Sequence, residues 1–219
     1  TAPTVIYTLS LHDALPIFLH LGMSGSLRVL PADTPAEKHD HLDIVLDSGR
    51  ALRLRDPRRF GTLLWTTGDP AQHKLLRTLG PEPLDEHFDG DYLFAKAHQR
   101  KVAIKNFIMN SHIVVGVGNI YASEALFLAR INPQRAAGKI SRERYQALVK
   151  AIRKVLNAAI RAGGTTLRDF SRADGEPGYF RQHLRVYGRE GKTCERCGST
   201  IRSRVTGQRS TYYCPKCQT

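Results

Sequence analysis

Cysteine is missing from the first 193 residues and appears only as Cys194, Cys197, Cys214 and Cys217. That excludes a disulfide framework running through the chain, so the bulk of it must hold together through its own hydrophobic core. Tryptophan occurs once and methionine twice. Acidic residues are in short supply: 20 Asp+Glu against 33 Lys+Arg give a formal charge of +13 and a pI near 9.9. Such a surplus points first to a polyanionic partner, either nucleic acid or an anionic membrane surface. No apolar run approaches transmembrane length and no basic-then-apolar leader is present, which weakens the membrane option and makes a cytoplasmic protein the default. The 219 residues, 41% hydrophobic and 24% charged, suffice for one or two domains with real cores.

What is present at the tail is specific. Cys194-x-x-Cys197 and Cys214-x-x-Cys217 are two knuckles whose spacing suits one tetrahedral four-thiolate zinc site. Two disulfides are the alternative, and they fit poorly where no secretory signal is seen. From Gln182 to Thr219 eight Lys/Arg face only Glu190 and Glu195, the balance of a nucleic-acid-contacting finger, with Arg209 at a hairpin tip or its shoulder.

The start is anomalous. Tyr7–Ile17, YTLSLHDALPI, matches one reading frame of a common sequencing-adapter oligonucleotide, so residues 1–17 are expected to be a non-native leader, with authentic sequence from about Phe18. From Phe18 to Trp65 the pattern is β: Leu19, Leu21 and Met23 alternate with polar or small residues, and Ser26–Leu30, His41–Leu46, Ala51–Arg55 and Gly61–Trp65 read as antiparallel strands of an incomplete sheet. A loop carries Asp56-Pro57-Arg58-Arg59-Phe60-Gly61, where a cation beside an aromatic suits insertion into nucleic acid. Taken alone, Met23 and Phe60 read as core residues before they read as DNA contacts. His39 and His41 flank Asp40; with no third ligand apparent, they read as strand residues with one His near a phosphate.

Gly80-Pro81-Glu82-Pro83 reads as a linker, after which helical periodicity takes over. Asp91–Gln99 is a short helix, followed by Arg100 and Lys101. Val102–Met109 and Ile120–Leu128 flank Gly116 and Gly118, a helix–turns–helix unit with Asn119 at the N-cap position and Lys105 within reach of the same anion. An ordinary helical hairpin with a solvated lysine is the bland alternative. Ser141–Ala162 is the clearest helix, with Tyr145, Leu148, Val149, Ile152, Val155, Leu156, Ala159 and Ile160 on its core face. Thr165–Phe180 is a glycine-rich loop, either closing over a ligand or passive.

These motifs, in this order, resemble the formamidopyrimidine-DNA glycosylase family from about Phe18 to the C-terminus. The resemblance rests on His20-Leu-Gly-Met-Ser-Gly-Ser, Glu37-Lys-His-Asp-His41, the Arg-Phe loop, Val114–Glu124, Gly163-Gly-Thr-Thr166, Asp174-Gly-x-Pro-Gly-Tyr-Phe180 and the four cysteines. It implies an α+β chain: a partial antiparallel β-sandwich (18–80), a helix-two-turns-helix DNA-binding domain with a lesion-recognition loop (81–188), and a C-terminal four-cysteine zinc finger (189–219) holding one structural Zn2+. It implies a partner too, double-stranded DNA bearing an oxidised purine or an abasic site, bound by a monomer in a bacterial cytoplasm. Met23, Arg58 and Phe60 match void-filling positions; His39, Arg58, Arg100, Lys105 and Asn119 match phosphate contacts. Arg209 matches the finger arginine, a phosphate contact also assigned proton donation in δ-elimination. The family's nucleophile is an N-terminal proline, assisted by a glutamate and a β-domain lysine; none has a counterpart here, since the first Glu is Glu37, the first Lys is Lys38, and the Pro3 nitrogen is an amide. Three readings follow: a bifunctional glycosylase and lyase at the level of the gene product, a damaged-DNA-binding fragment without a nucleophile at the level of this chain, and a zinc-ribbon protein of other purpose. The third leaves the Arg-Phe loop unexplained.

Overall fold

The computed structural model describes residues 5–8, 17–22, 24–164 and 180–219. Met23, most of the Thr165–Phe180 loop and most of the suspected leader lie outside them. The chain divides into two compact units, Thr1–Leu76 with Ala162–Arg181, and Arg77–Arg161 with Gln182–Thr219.

The first unit is built of strands. Strands β1 (Val5–Thr8), β3 (Ser26–Pro31), β4 (Asp40–Val45) and β5 (Arg50–Arg55) form one sheet in the order β1-β4-β5-β3, while β2 (Ile17–His20) pairs antiparallel with β6 (Thr62–Trp65). β5 pairs antiparallel with β4 across a short turn and with β3 on its other edge; in that turn Gly49 adopts φ 73°, open to glycine without strain. Beside the antiparallel strands expected from Phe18 onward, β1 joins β4 in parallel. Those four residues belong to the stretch expected to be foreign. An open strand edge offers N–H and C=O groups that accept any extended segment, so this pairing carries no information about sequence origin. Ile44, Ala51 and Leu54 are buried, but Val29 and Trp65 are more than half exposed.

The unit's main polar feature is a buried arginine that strand periodicity does not reveal. Arg53, 5% exposed, grips Asp43 through two bonds of 2.8 Å, lies 3.5 Å from Asp40, and donates to the carbonyls of Thr34 and Pro35. Every donor of a buried guanidinium must find an acceptor, and here the sheet and the loop before β4 supply them.

In the second unit, helices α1 (Gly90–Ala97), α2 (Ile104–Ile108), α3 (Asn119–Leu128) and α4 (Arg142–Arg161) surround a core that includes Phe88, Leu93, Ile108, Leu126, Tyr145 and Ile152. The α4 stripe is buried from Tyr145 to Ala159, and Ser141 Oγ accepts the Arg144 N–H at 3.4 Å. Ile160, expected on the same face, is 64% exposed: it lies at the stripe's edge in the last turn, past its packing partners. Gly80–Pro83 is no free linker. Gly80 N–H donates to Ser111 O, Val115 N–H donates to Pro81 O, and a Cβ on Gly80 would come within 2.4 Å of the Ile113 carbonyl carbon. Arg153 adds bonds to the carbonyls of Pro83, Asp85 and Phe88, strapping this segment to α4.

Strands β7 (Arg202–Thr206) and β8 (Arg209–Tyr213) form the C-terminal hairpin. Its two-residue loop, Gly207-Gln208, has positive φ at both positions, the type I′ geometry that matches strand twist.

Candidate nucleic-acid interface

In the first unit the interface candidate is the loop after β5. Asp56 is 2% exposed and organises it. Its carboxylate accepts from Ser24 Oγ at 3.0 Å and from the Gly61 N–H at 2.6 Å, while its carbonyl lies 3.0 Å from His41 Nε2. Burial alone would push the Asp56 carboxyl up; donation from Gly61, Ser24 and the amides of Arg58 and Arg59 outweighs it and holds the carboxyl below its ordinary range. With both ends fixed, the tip is presented rather than packed. Phe60 is 54% exposed and the Arg58 guanidinium lies 5.0 Å from its ring centroid. Gly22, at φ 64°, lies so near that a Cβ would fall 2.7 Å from the Phe60 carbonyl carbon. His39 belongs to the same cluster, its carbonyl accepting the Asp56 N–H. Met23 lies outside the described residues.

In the second unit Lys105, Asn119 and β8 converge. Lys105 is fully buried, yet its Nζ meets only neutral acceptors, Ser210 O at 3.0 Å and Thr211 Oγ1 at 2.7 Å. Burial, and then the charge of Arg209, lower its pKa to about 8. Asn119 Nδ2 donates to the same Ser210 carbonyl at 3.2 Å and to Tyr187 Oη at 3.3 Å, while Asn119 Oδ1 is buried without a partner. The N-cap of α3 is Gly118, not Asn119, and it makes no side-chain cap bond. Asn119 is the first helical residue and its amide is free to face the finger. Gly116 has φ 73°, but Gly118 is extended, so only the first of the two glycines is required by its turn. Arg209 opens β8, exposed at the shoulder of the hairpin as its position indicates. The result is a cationic, donor-rich hollow beside the N-terminal end of α3, where the helix dipole favours an anion. Arg100 is not brought there: it is exposed after α1, and its carbonyl accepts the Gly138 N–H.

The hairpin rests on the four cysteines. None is in a disulfide, and their sulfurs lie within 4.8 Å of one another, with Cys194–Cys217 at 4.0 Å and Cys197–Cys214 at 3.5 Å. Metal–sulfur bonds of about 2.3 Å in a tetrahedron place sulfurs roughly 3.8 Å apart, so the set fits one structural metal ion. Cys194 and Cys214 are buried with Phe127, Val186 and Ile201, which seats the finger on α3. At the far end a Cβ on Gly207 would fall 2.5 Å from Asn106 Nδ2, so the hairpin tip also abuts α2.

Three stretches match models of one protein group: the formamidopyrimidine-DNA glycosylase N-terminal domain over residues 6–63, its H2TH domain over 79–171, and a zinc finger found in FPG and IleRS over 191–219. The formamidopyrimidine-DNA glycosylase of Syntrophotalea carbinolica is 60% identical over 212 residues, 97% of this chain and 78% of that protein. The chain belongs to the formamidopyrimidine-DNA glycosylase family. The enzyme of that name from Thioalkalivibrio sulfidiphilus is 63% identical over 202 residues, 92% of this chain and 74% of its own. Among solved structures, MutM (Fpg) from Thermus thermophilus superposes with a TM-score of 0.84 at 38% identity, covering 94% of this chain and 77% of that one. The Lactococcus lactis Fpg in complex with abasic-site DNA gives 0.84 at 34%, covering 94% and 76%.

Against this glycosylase framework, sequence reading missed the residues that hold the hollow together. Glu124 stood inside the recognised motif without a role. Its carboxylate accepts the N–H groups of Arg185, Val186 and Tyr187 at 2.9–3.0 Å, fixing the segment that carries Tyr187 to Asn119. Burial pushes the Glu124 carboxyl up and those three amides work against it. Glu124→Ala leaves three donors unmet at about 1 kcal/mol or more each, so a loss of about 3 kcal/mol in urea unfolding is expected. A loss under about 1 kcal/mol would mean water replaces the carboxylate.

Proposed function

We propose that the chain grips duplex DNA at a damaged site and serves base-excision repair. The substrate class is oxidised purine, 8-oxoguanine or formamidopyrimidine, together with abasic sites. The observation that carries this reading is the convergence of Lys105, Asn119 and Arg209 on one hollow, with a buried ammonium that has no carboxylate partner among the described residues. A phosphate oxygen supplies the missing counter-charge. The L. lactis relative bound to abasic-site DNA supports the same partner. The Arg58–Phe60 tip acts separately: a flipped nucleotide leaves a hole in the duplex, and an exposed ring with a stacked cation is suited to fill it. The metal of the finger is Zn2+, on the chemistry of four thiolates.

In the intact family reading, a proline amine attacks C1′, the glycosidic bond breaks, and the strand is nicked by β- and δ-elimination, with Arg209 as proton donor in the second. In the 219-residue polypeptide Pro3 follows Ala2, so its nitrogen is an amide whose lone pair is delocalised. The alternative reading is a polypeptide that binds without cutting, since Pro3 offers no amine. Incubation with abasic DNA and borohydride is expected to give no crosslink and no nick; either product would overturn the non-cutting reading and leave the binding reading intact. Binding itself is tested by anisotropy on a duplex with a stable abasic analogue. Asn119→Ala, which removes a bond to a charged group, should weaken it about tenfold or more irrespective of sequence. Phe60→Ala should lower the preference for abasic over intact duplex and leave binding to intact duplex within about twofold. Equal preference in the variant and the unmodified chain would sink the wedge role.

A further inference from the structure

A recess of about 620 Å3 opens at the opposite end of α3 from Asn119. Arg130 lines it just past the helix, Arg144 from α4, Arg196 and Cys197 from the first knuckle, and Lys216 and Cys217 from the second. Thr219, the last residue of the 219-residue polypeptide, lines it as well; no Asp or Glu side chain does. Arg144 is occupied by the backbone oxygens of Arg130 at 2.9 Å and Thr219 at 2.7 Å, and Arg196 lies over the Phe127 ring at 4.9 Å. Arg130 and Lys216 are exposed and make no ion pair among the described residues. Arg130 sits at φ 58°, its backbone pinned by its N–H to Phe127 O and its carbonyl to Arg144. The recess is thus a preformed cationic hollow of a size common for ligand clefts, about 300–1,000 Å3.

Three local charges oppose this field: the carbonyl end of α3, the thiolates of Cys197 and Cys217 on one wall, and the α-carboxylate that Thr219 carries in the 219-residue polypeptide, which Arg144 meets at 2.7 Å. With Arg144 held by the Arg130 and Thr219 oxygens and Arg196 stacked on Phe127, the exposed Arg130 and Lys216 are the cations left to meet an incoming anion. Position matters as much as charge. Ten helical residues separate the recess from Asn119, about 15 Å along the axis. The first hollow takes its anion at the N-terminal end of α3, so a duplex held there lies off one end of the helix and the recess lies off the other.

We propose that this recess is a second phosphate-binding site, which takes the backbone of a nucleic-acid segment separate from the duplex held beside Lys105 and Asn119. A chain with a formal charge of +13 would then bridge two segments and pass between them without full release. The proposal rests on the DNA-binding reading above, and its test separates the two.

An abasic duplex is immobilised, loaded with the full chain, and offered a second, labelled duplex; inorganic pyrophosphate serves as competitor. The unmodified chain should capture the second duplex. The double variant Arg130→Gln, Lys216→Gln should hold the first duplex within about twofold but capture the second at least tenfold less well. The log–log salt slope of capture should shrink by about 1.8, two neutralised phosphates at about 0.9 each. Capture unchanged in the variant, with faster metal loss to a chelator, would mean the cations only balance the thiolate centre and would overturn the proposal. Pyrophosphate binding without any captured duplex would make this a site for free phosphate and overturn it likewise. If the unmodified chain fails to hold the first duplex, the DNA-binding reading falls. The recess is then judged by direct duplex binding to a Lys105→Gln, Asn119→Ala chain: binding that disappears on adding the double variant upholds it, and no binding overturns it.

Discussion

Stripping the metal from the finger is expected to abolish tight binding to abasic duplex, by at least about 100-fold, while leaving most of the helical signal in place. Structural four-thiolate sites contribute about 10–16 kcal/mol of binding free energy that is also folding free energy. Here Cys194 and Cys214 are members of the small core formed with Phe127, Val186 and Ile201, so loss of the ion removes the base of the hairpin. The consequence reaches past the finger. The Ser210 carbonyl receives both Lys105 Nζ and Asn119 Nδ2, and Arg209 stands one residue away. Without β8, Lys105 and Asn119 lose the partner that positions them, and their arrangement with Arg209 is lost as a unit. The α1–α4 core has its own buried residues, so circular dichroism at 222 nm should fall little. The measurement is duplex affinity before and after chelation, with metal readdition as control. Unchanged affinity in the metal-free chain would show that the hollow forms without the finger.

The second large effect is a salt dependence that changes with pH. Lys105 is held at about 8 against an ordinary 10.5, by burial first and by Arg209 second. Between pH 8 and 10.5 the unfolded chain holds a proton at this site that the folded chain has lost. In that window the group therefore adds stability as pH rises, and below it the group costs stability. Binding runs the other way. A phosphate beside the amine favours the charged form, so above about pH 8 binding must take up a proton and weakens. The slope of log K against log salt should be smaller by about 0.9 at pH 9.5 than at pH 7, the loss of one neutralised phosphate. Lys105→Gln should show the smaller slope at both pH values. A slope that does not move with pH in the unmodified chain would mean that Lys105 stays charged or does not meet phosphate.

Periodicity and turn chemistry made much of this molecule legible in advance. The α4 stripe, the β3–β5 strands and the two-knuckle cysteine spacing all depend on local rules, where each residue reports on its own segment. The errors have a shared cause. Asn119 is not a cap, Ile160 is exposed and Gly80–Pro83 is strapped down, because each outcome is set by a neighbour distant in sequence. Sequence spacing places a side chain on a face and does not say what will cover that face.

By itself, the order of residues determined the family, the α+β class, the four metal-ligating thiols and the chemical types needed to meet a phosphate backbone. Those are matters of composition, motif and period, and they survive without coordinates. Only the tertiary structure decided that Lys105, Asn119 and Arg209, up to 104 positions apart, would share one hollow, that Glu124 would anchor the segment behind it, and that Arg53 would be buried among Asp43, Asp40 and two carbonyls. The physical reason is that desolvation is collective. A lysine is an ordinary solvated cation until a helix and a hairpin close over it, and then its pKa, its partners and its use all change at once.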